Sequence, residues 1–162
     1  MRVVRWLFGL VLLLALAVAA LLLVARFGDG PTGPLPGGPL RAGELVAGPQ
    51  ADWSFVADVK EIELQLEAQT TSRTTWVVVK DGAAFIPCSL DFPPFKSWYK
   101  KVAEDGRGVV RVGGRRYPVS LVRVEDEALA GELKQLAGAK YAGATGPPEG
   151  QVWFFRLDPR AT

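Results

Sequence analysis

Residues Thr74 to Ser89 read TTWVVVKDGAAFIPCS, two short apolar runs on either side of an Asp-Gly pair. Thr74 to Lys80 is β-branched and aromatic, which suits a pleated, half-buried surface. Asp81-Gly82 supplies the left-handed backbone that a two-residue hairpin turn demands. Ala83 to Ser89 is then the return strand. Pro87, which has no amide hydrogen, marks an edge or a bulge in it. Upstream, Glu61 to Glu67 alternates strictly, with Ile62, Leu64 and Leu66 apolar between polar neighbours. That is a half-buried strand. Its acidic face reads as solvated, because no partner acid or base accompanies it.

Downstream, Leu90 to Pro94 is a loop and Phe95 to Glu104 is helical, with Ser97 as candidate N-cap. Asp105-Gly106 ends it. Val109 to Val112, Gly113-Gly114 and Arg115 to Val124 form a second hairpin. Its outer positions carry Arg111, Arg115, Arg116 and Arg123; Arg115-Arg116 beside Gly113-Gly114 reads as a polar tip that discourages edge pairing, with contact to anionic lipid headgroups as the alternative. Asp126 caps a helix running to about Ala139, with Leu129, Leu133 and Leu136 at helical spacing. Thr145 to Gly150 is a loop, and Gln151 to Leu157 is a last strand. Arg156 within it either points inward to an acidic or phosphate partner or shares the face of Phe154; the alternation admits both. Five or six antiparallel strands in hairpins, with two short helices, predict a mainly β chain closed into a small barrel.

The N-terminal segment obeys a different rule. Trp6 to Ala25 is twenty residues without a charge, preceded by Arg2 and Arg5 and followed by Arg26. As a helix it would be roughly 30 Å long, the thickness of a bilayer core. It exceeds the apolar region of a cleaved signal peptide and lacks a small-x-small site at a polar boundary. Residues 1–26 therefore read as a retained transmembrane signal anchor whose lipid partner is met by residues 6–25. The basic residues before the run predict a cytoplasmic N-terminus, with the rest of the chain on the outer side of the inner membrane. Residues 27–50, rich in Gly and Pro, read as a linker. Within it Pro34 to Leu40 (PLPGGPL) is more patterned than a spacer needs and is expected to pack on the domain. Residues 51–162 are the domain.

Composition narrows the chemistry. The domain carries 15 Lys and Arg against 15 Asp and Glu. Such a balance offers no electrostatic footprint for nucleic acid. Histidine is absent and Cys88 is the one cysteine. Ordinary zinc sites, His-ligated haem, His-based triads and internal disulfides are thereby excluded. Cys88 reads as a small buried apolar residue on its strand. No catalytic residue is named by any motif.

The order of pieces resembles the pyridoxamine-phosphate-oxidase-like split β-barrels, which include flavin- and deazaflavin-dependent oxidoreductases. The resemblance is carried by IELQLEAQTTSRTTWVVVKDGAAFIPCS (62–89), FKSWYKKVAEDGRGVVRVGGRRYPVSLVRVED (95–126), KYAG (140–143) and VWFFRLDPR (152–160). It implies a split barrel, a homodimer, and FMN or a deazaflavin at the subunit interface, with no metal. By position, the cofactor phosphate would fall to Arg73, Thr74 and Thr75, and to Ser89, Lys96, Lys100 or Lys101. Guanidinium and hydroxyl donors suit phosphate, and Trp76 or Trp98 would supply a flat wall for the ring. Thr70-Thr71-Ser72-Arg73 stands where the family carries a Gly-rich turn, and Asp91 to Phe95 (DFPPF) is more apolar than its counterpart. The implied function is a membrane-anchored, flavin- or deazaflavin-dependent oxidoreductase-like domain. The alternative is a cofactor-free barrel serving as a binding or scaffolding module of the envelope. Convergence of Arg73 with Lys96 to Lys101 on one pocket separates the two.

Overall fold

A computed structural model of the chain describes residues 2–91, 96–143 and 150–161. Helix α1 (Arg2–Phe27) is followed by β1 (Glu44–Leu45), a short 3-10 turn at Ser54–Val56, and strands β2 (Glu61–Leu66), β3 (Ser72–Trp76), β4 (Val78–Lys80) and β5 (Ala83–Ser89). Then come α2 (Trp98–Glu104), β6 (Arg107–Val112), β7 (Arg115–Arg123), α3 (Glu127–Lys140) and β8 (Val152–Pro159). The sheet runs β3-β2-β6-β7-β8-β5-β4. Its two ends, β3 and β4, are separated in sequence by Val77 alone. The chain itself therefore joins the ends, and the sheet closes into a split barrel.

Both hairpin turns are made as their residues require. Asp81 and Gly82 have φ of 52° and 76°, and Gly113 and Gly114 have 57° and 73°, as a type I′ turn demands. Alternation on β2 places Ile62, Leu64 and Leu66 inside, with Val110, Val119, Ile86 and Phe155. The other sheet face carries a second cluster: Val78, Phe85 and Phe154 beneath Leu133 and Ala137 of α3. Asp126 caps α3, accepting from the amides of Ala128 and Leu129 at 2.8 and 3.1 Å. The buried stripe steps from Leu133 to Ala137 and Tyr141, an i, i+4 row. Leu136, expected in it, is turned off the row and is 40% exposed. Ser97 precedes α2 but its hydroxyl makes no capping bond.

The run Thr74 to Lys80 does not form one continuous strand. It breaks at Val77, whose backbone is turned over to Tyr141. The Tyr141 hydroxyl accepts from Val77 N at 3.0 Å and lies 2.8 Å from Val77 O and 2.7 Å from Lys60 O, to either of which it donates. Lys140 Nζ also donates to Val77 O at 2.8 Å. The Tyr141 ring stacks on Trp76, centroids 4.2 Å apart and 8° from parallel. Tyr141→Phe keeps that stack and strands a buried amide. A loss of roughly 2 kcal/mol follows, on the order of 10 °C in melting temperature, checked by thermal denaturation.

Residues 28–50 do not hang free of the barrel. Gly37 exchanges backbone bonds with Ser72, and Ser72 Oγ donates to Gly38 O at 2.5 Å. Thr74 Oγ1 donates to Gly33 O at 2.7 Å, and Leu40 N donates to Gln65 Oε1 at 2.8 Å. Gly37 and Gly38 fit because they lack a side chain: a Cβ would lie 1.7 Å from Gly30 O and 2.1 Å from Gly28 O respectively. Further on, β1 pairs in parallel with Arg115 and Arg116 of β7. That edge is vacant because β8 ends at the Val119–Pro159 pair. Residues 28–50 thus form a strap, and its strand β1 covers the edge that Arg115 and Arg116 are expected to protect. Arg115 pairs with Glu44 at 3.2 Å, and Arg116 donates to Gly43 O and Leu40 O.

Candidate functional site

The site is a consequence of the break at Val77. The β4–β5 ladder ends at Val78–Phe85, and β3, beyond the break, pairs with β2 and, through Ser72, with Gly37, but not with β5. Past Phe85 the edge of β5 that faces β3 carries no ladder. Pro87 lies on this stretch opposite Phe154, whose carbonyl turns away to accept from Val124 N; the pair is therefore not hydrogen-bonded, and the amide hydrogen Pro87 lacks would have pointed to the unladdered edge. Side chains fill the seam instead.

Register decides which. Arg73 is opposite Leu64 and Thr75 opposite Ile62. Paired residues share a face, so both lie on the inner, apolar face. Cys88, 2% exposed, belongs to the same inner cluster. The Arg73 guanidinium lies 5.3 Å from the centre of the Trp98 ring, which is itself buried against Phe155. One nitrogen, Nη2, donates to Gln69 Oε1. Its Nε is buried without a hydrogen-bond partner, and no carboxylate among the described residues forms an ion pair with it. Burial pulls the Arg73 guanidinium down to about 10. Lys96 interacts with the Cys88 thiol and is also lowered, chiefly by burial. The thiol is raised by burial, which outweighs the nearby cations. Cys88 is therefore a neutral thiol between two partly desolvated cations.

The other residues expected at a phosphate site go elsewhere. Thr74 lies on the outer face, where the strap takes its hydroxyl. Ser89 follows Cys88 and points to the opposite side of β5, paired with Val152. Lys100 sits 6.0 Å from the Tyr99 ring centre, and Lys101 pairs with Glu104 at 3.0 Å on the exposed side of α2. Trp76 is committed to Tyr141. Arg156 is exposed and pairs with Asp158 at 2.5 Å, which settles its two readings in favour of the outward one. The structure thus gathers Arg73 and Lys96 with Cys88 and Trp98; Thr75 shares the inner face with Arg73, its hydroxyl 3.5 Å from Trp76 O. Thr74, Ser89, Lys100 and Lys101 are set apart. Gln69 and Cys88 were not expected in the cluster. The alternation Ala84, Ile86, Cys88 would have placed the thiol on the inner face; nothing in the sequence places Gln69. The DFPPF loop lies outside the described residues from Phe92 to Phe95.

Barrel closure through one chain break, with a side-chain-filled seam beside it, defines a split β-barrel. No family model matches this chain, and no curated protein matches it. A similar solved structure is the protein named general stress protein 26 from Jannaschia sp. CCS1, with a TM-score of 0.50 and 17% identity over 67% of this chain and 71% of that one. At that identity the likeness concerns the fold alone.

Proposed function

We propose that this chain is a membrane-anchored split-barrel protein whose seam binds a phosphorylated cofactor, FMN or a deazaflavin, as part of an oxidoreductase-like domain. The observation that carries the reading is Arg73: a half-buried guanidinium whose buried Nε has no hydrogen-bond partner and with which no carboxylate pairs, among the described residues. Burying a cation without a counter-charge is costly, and a phosphoryl group arriving at the seam would relieve that cost. Arg73 and Lys96 would hold the phosphoryl oxygens and Thr75 would add a hydroxyl donor. A bound flavin or deazaflavin would supply hydride transfer; the protein supplies the grip and the exclusion of water at the barrel wall. The residues present fit the phosphoryl end. Membrane attachment is supported by α1, whose segment Val4–Leu21 is apolar enough to cross a bilayer and is not buried anywhere.

A second reading has its own support. Thr74, Lys100, Lys101 and Trp76 are each engaged away from the seam, so a ring would find little prepared surface. A barrel that binds a smaller phosphorylated ligand fits that arrangement. Titrating the detergent-solubilised full chain with FMN, a deazaflavin cofactor and inorganic phosphate separates the two. Saturable micromolar binding of either cofactor, followed by absorbance, is the expected result. Binding of phosphate alone selects the second reading, and binding of none overturns both.

A further inference from the structure

We propose that the end of the barrel carrying the Gly113–Gly114 turn rests on the bilayer surface, with Leu45 and Phe55 seated among lipid headgroups. This rests on the reading of α1 as a membrane span. Three observations lead to it. First, the segment Val4–Leu21 of α1 is buried nowhere by the barrel, so it is free to lie in lipid.

Second, there is no slack between them. Helix α1 ends at Phe27. Two residues on, Asp29 is tied to Arg111 of β6 at 2.5 Å and accepts from the amides of Arg41 and Ala42. Gly38 packs so closely on the helix exit that a Cβ would lie 2.1 Å from Gly28 O and 2.9 Å from Arg26 O. Two residues span at most about 7 Å, close to the depth of one headgroup layer, roughly 5–8 Å. The clamp therefore fixes which end of the barrel meets the membrane. Arg111 is two residues from the Gly113 turn, and Gly43 abuts Gly114, its Cβ position 2.4 Å from Gly114 O.

Third, this end has the surface chemistry of an interface. Phe55 is 52% and Leu45 45% exposed; one face of the Phe55 ring packs on Trp53 and Tyr117, and the rest of it is open. Phe55, Val59, Val112 and Tyr117 share a cleft of about 550 Å³ with Glu61, Glu63, Arg111 and Arg115, where Arg111 is paired with Asp29 and Glu63 and Arg115 with Glu44. Arg26 and Arg41 are exposed beside it. Exposed apolar side chains near Arg26 and Arg41, the basic residues at the helix exit, suit the boundary between acyl chains and phosphates.

The test uses the full chain carrying Cys88→Ala and one added cysteine: Leu13→Cys, Leu45→Cys, Phe55→Cys or Lys134→Cys. Lys134 is exposed on α3, which packs over β4 and β8. Each is labelled with a fluorophore and reconstituted in phosphatidylcholine–phosphatidylglycerol vesicles holding nitroxide at the headgroup or in the acyl chain. The expected result is acyl-chain quenching at 13 and headgroup quenching at 45 and 55 several-fold above that at 134. Quenching at 13 with 45 and 55 no different from 134 overturns the surface contact while leaving the span intact. No quenching at 13 overturns the span and the contact together.

Discussion

Arg73→Leu is expected to weaken phosphate and cofactor binding by about 10- to 100-fold while leaving the barrel as stable as the wild type or more so. The two effects have one cause. A charge-assisted hydrogen bond contributes about 1.5–3 kcal/mol, and Arg73 is the cation best placed to make one across the seam. With no ligand, that same cation is a burden. Burial takes it from the ordinary guanidinium range down to about 10, which corresponds to something on the order of 1–3 kcal/mol against the charged form. The sign follows directly. A cation whose folded pKa is depressed opposes folding at every pH below that value, and the opposition fades as pH rises through about 10. Leucine removes the charge and keeps much of the side-chain volume against Trp98. Paired melts and cofactor titrations of the two proteins check this. A variant that binds normally sinks the phosphate assignment. One that loses several kcal/mol shows that Arg73 serves packing and not a ligand.

Much of the barrel is legible in the sequence because it rests on local chemistry. The Asp81-Gly82 and Gly113-Gly114 turns need positive φ, the alternation of Ile62, Leu64 and Leu66 needs one buried face, and Asp126 needs two amides to cap. Each is a short-range requirement. What the sequence does not show depends on distant partners. The break at Val77 lies inside TTWVVVK, the most strand-like run in the chain, and exists because a hydroxyl 64 residues away takes its backbone bonds. Without that break there is no unladdered edge and no seam.

The candidate site follows the same division. Arg73 and Lys96 were named from a family resemblance and do meet, but the residues beside them were separated by one-residue alternation. Thr74 and Ser89 each sit one position from an inward-facing neighbour, so proximity in sequence put them on the wrong face. The strap is the clearest case of information absent from composition. Gly- and Pro-rich segments usually read as spacers. Here the glycines permit backbone contact at Gly37 and Gly38, and the fixing charge, Asp29, is a lone acid between two glycines whose partner lies 82 residues on.

That partner makes Arg111→Ala the most destabilising single change expected at the surface of the barrel. The Arg111 side chain is 13% exposed. It donates to Glu63, its cross-strand neighbour on β2, and to Asp29 and Ala42 O of the strap. Truncation leaves two carboxylates facing each other with no cation between them. Both reach water, so the loss falls short of the roughly 3–5 kcal/mol typical of breaking a fully buried pair, at about 2 kcal/mol. Melting temperature should drop on the order of 10 °C, and amide exchange should rise first across residues 29–45, where the strap loses its anchor. Acid supplies an independent check. Burial pulls the Asp29 carboxyl upward, but hydrogen bonds from the Arg41 and Ala42 amides and from Arg111 outweigh it and hold the group at about 2. A carboxyl depressed on folding stabilises fully above its unfolded value of 3.8 and loses that contribution as pH falls toward about 2. Wild-type protection factors across the strap, corrected for the pH dependence of intrinsic amide exchange, should therefore fall between about pH 4 and 2. In Arg111→Ala the Asp29 pKa returns toward normal, and that acid slope should flatten. An unchanged slope would mean that the amides of Arg41 and Ala42 hold the carboxylate without the guanidinium, and that the strap is fastened by its own backbone.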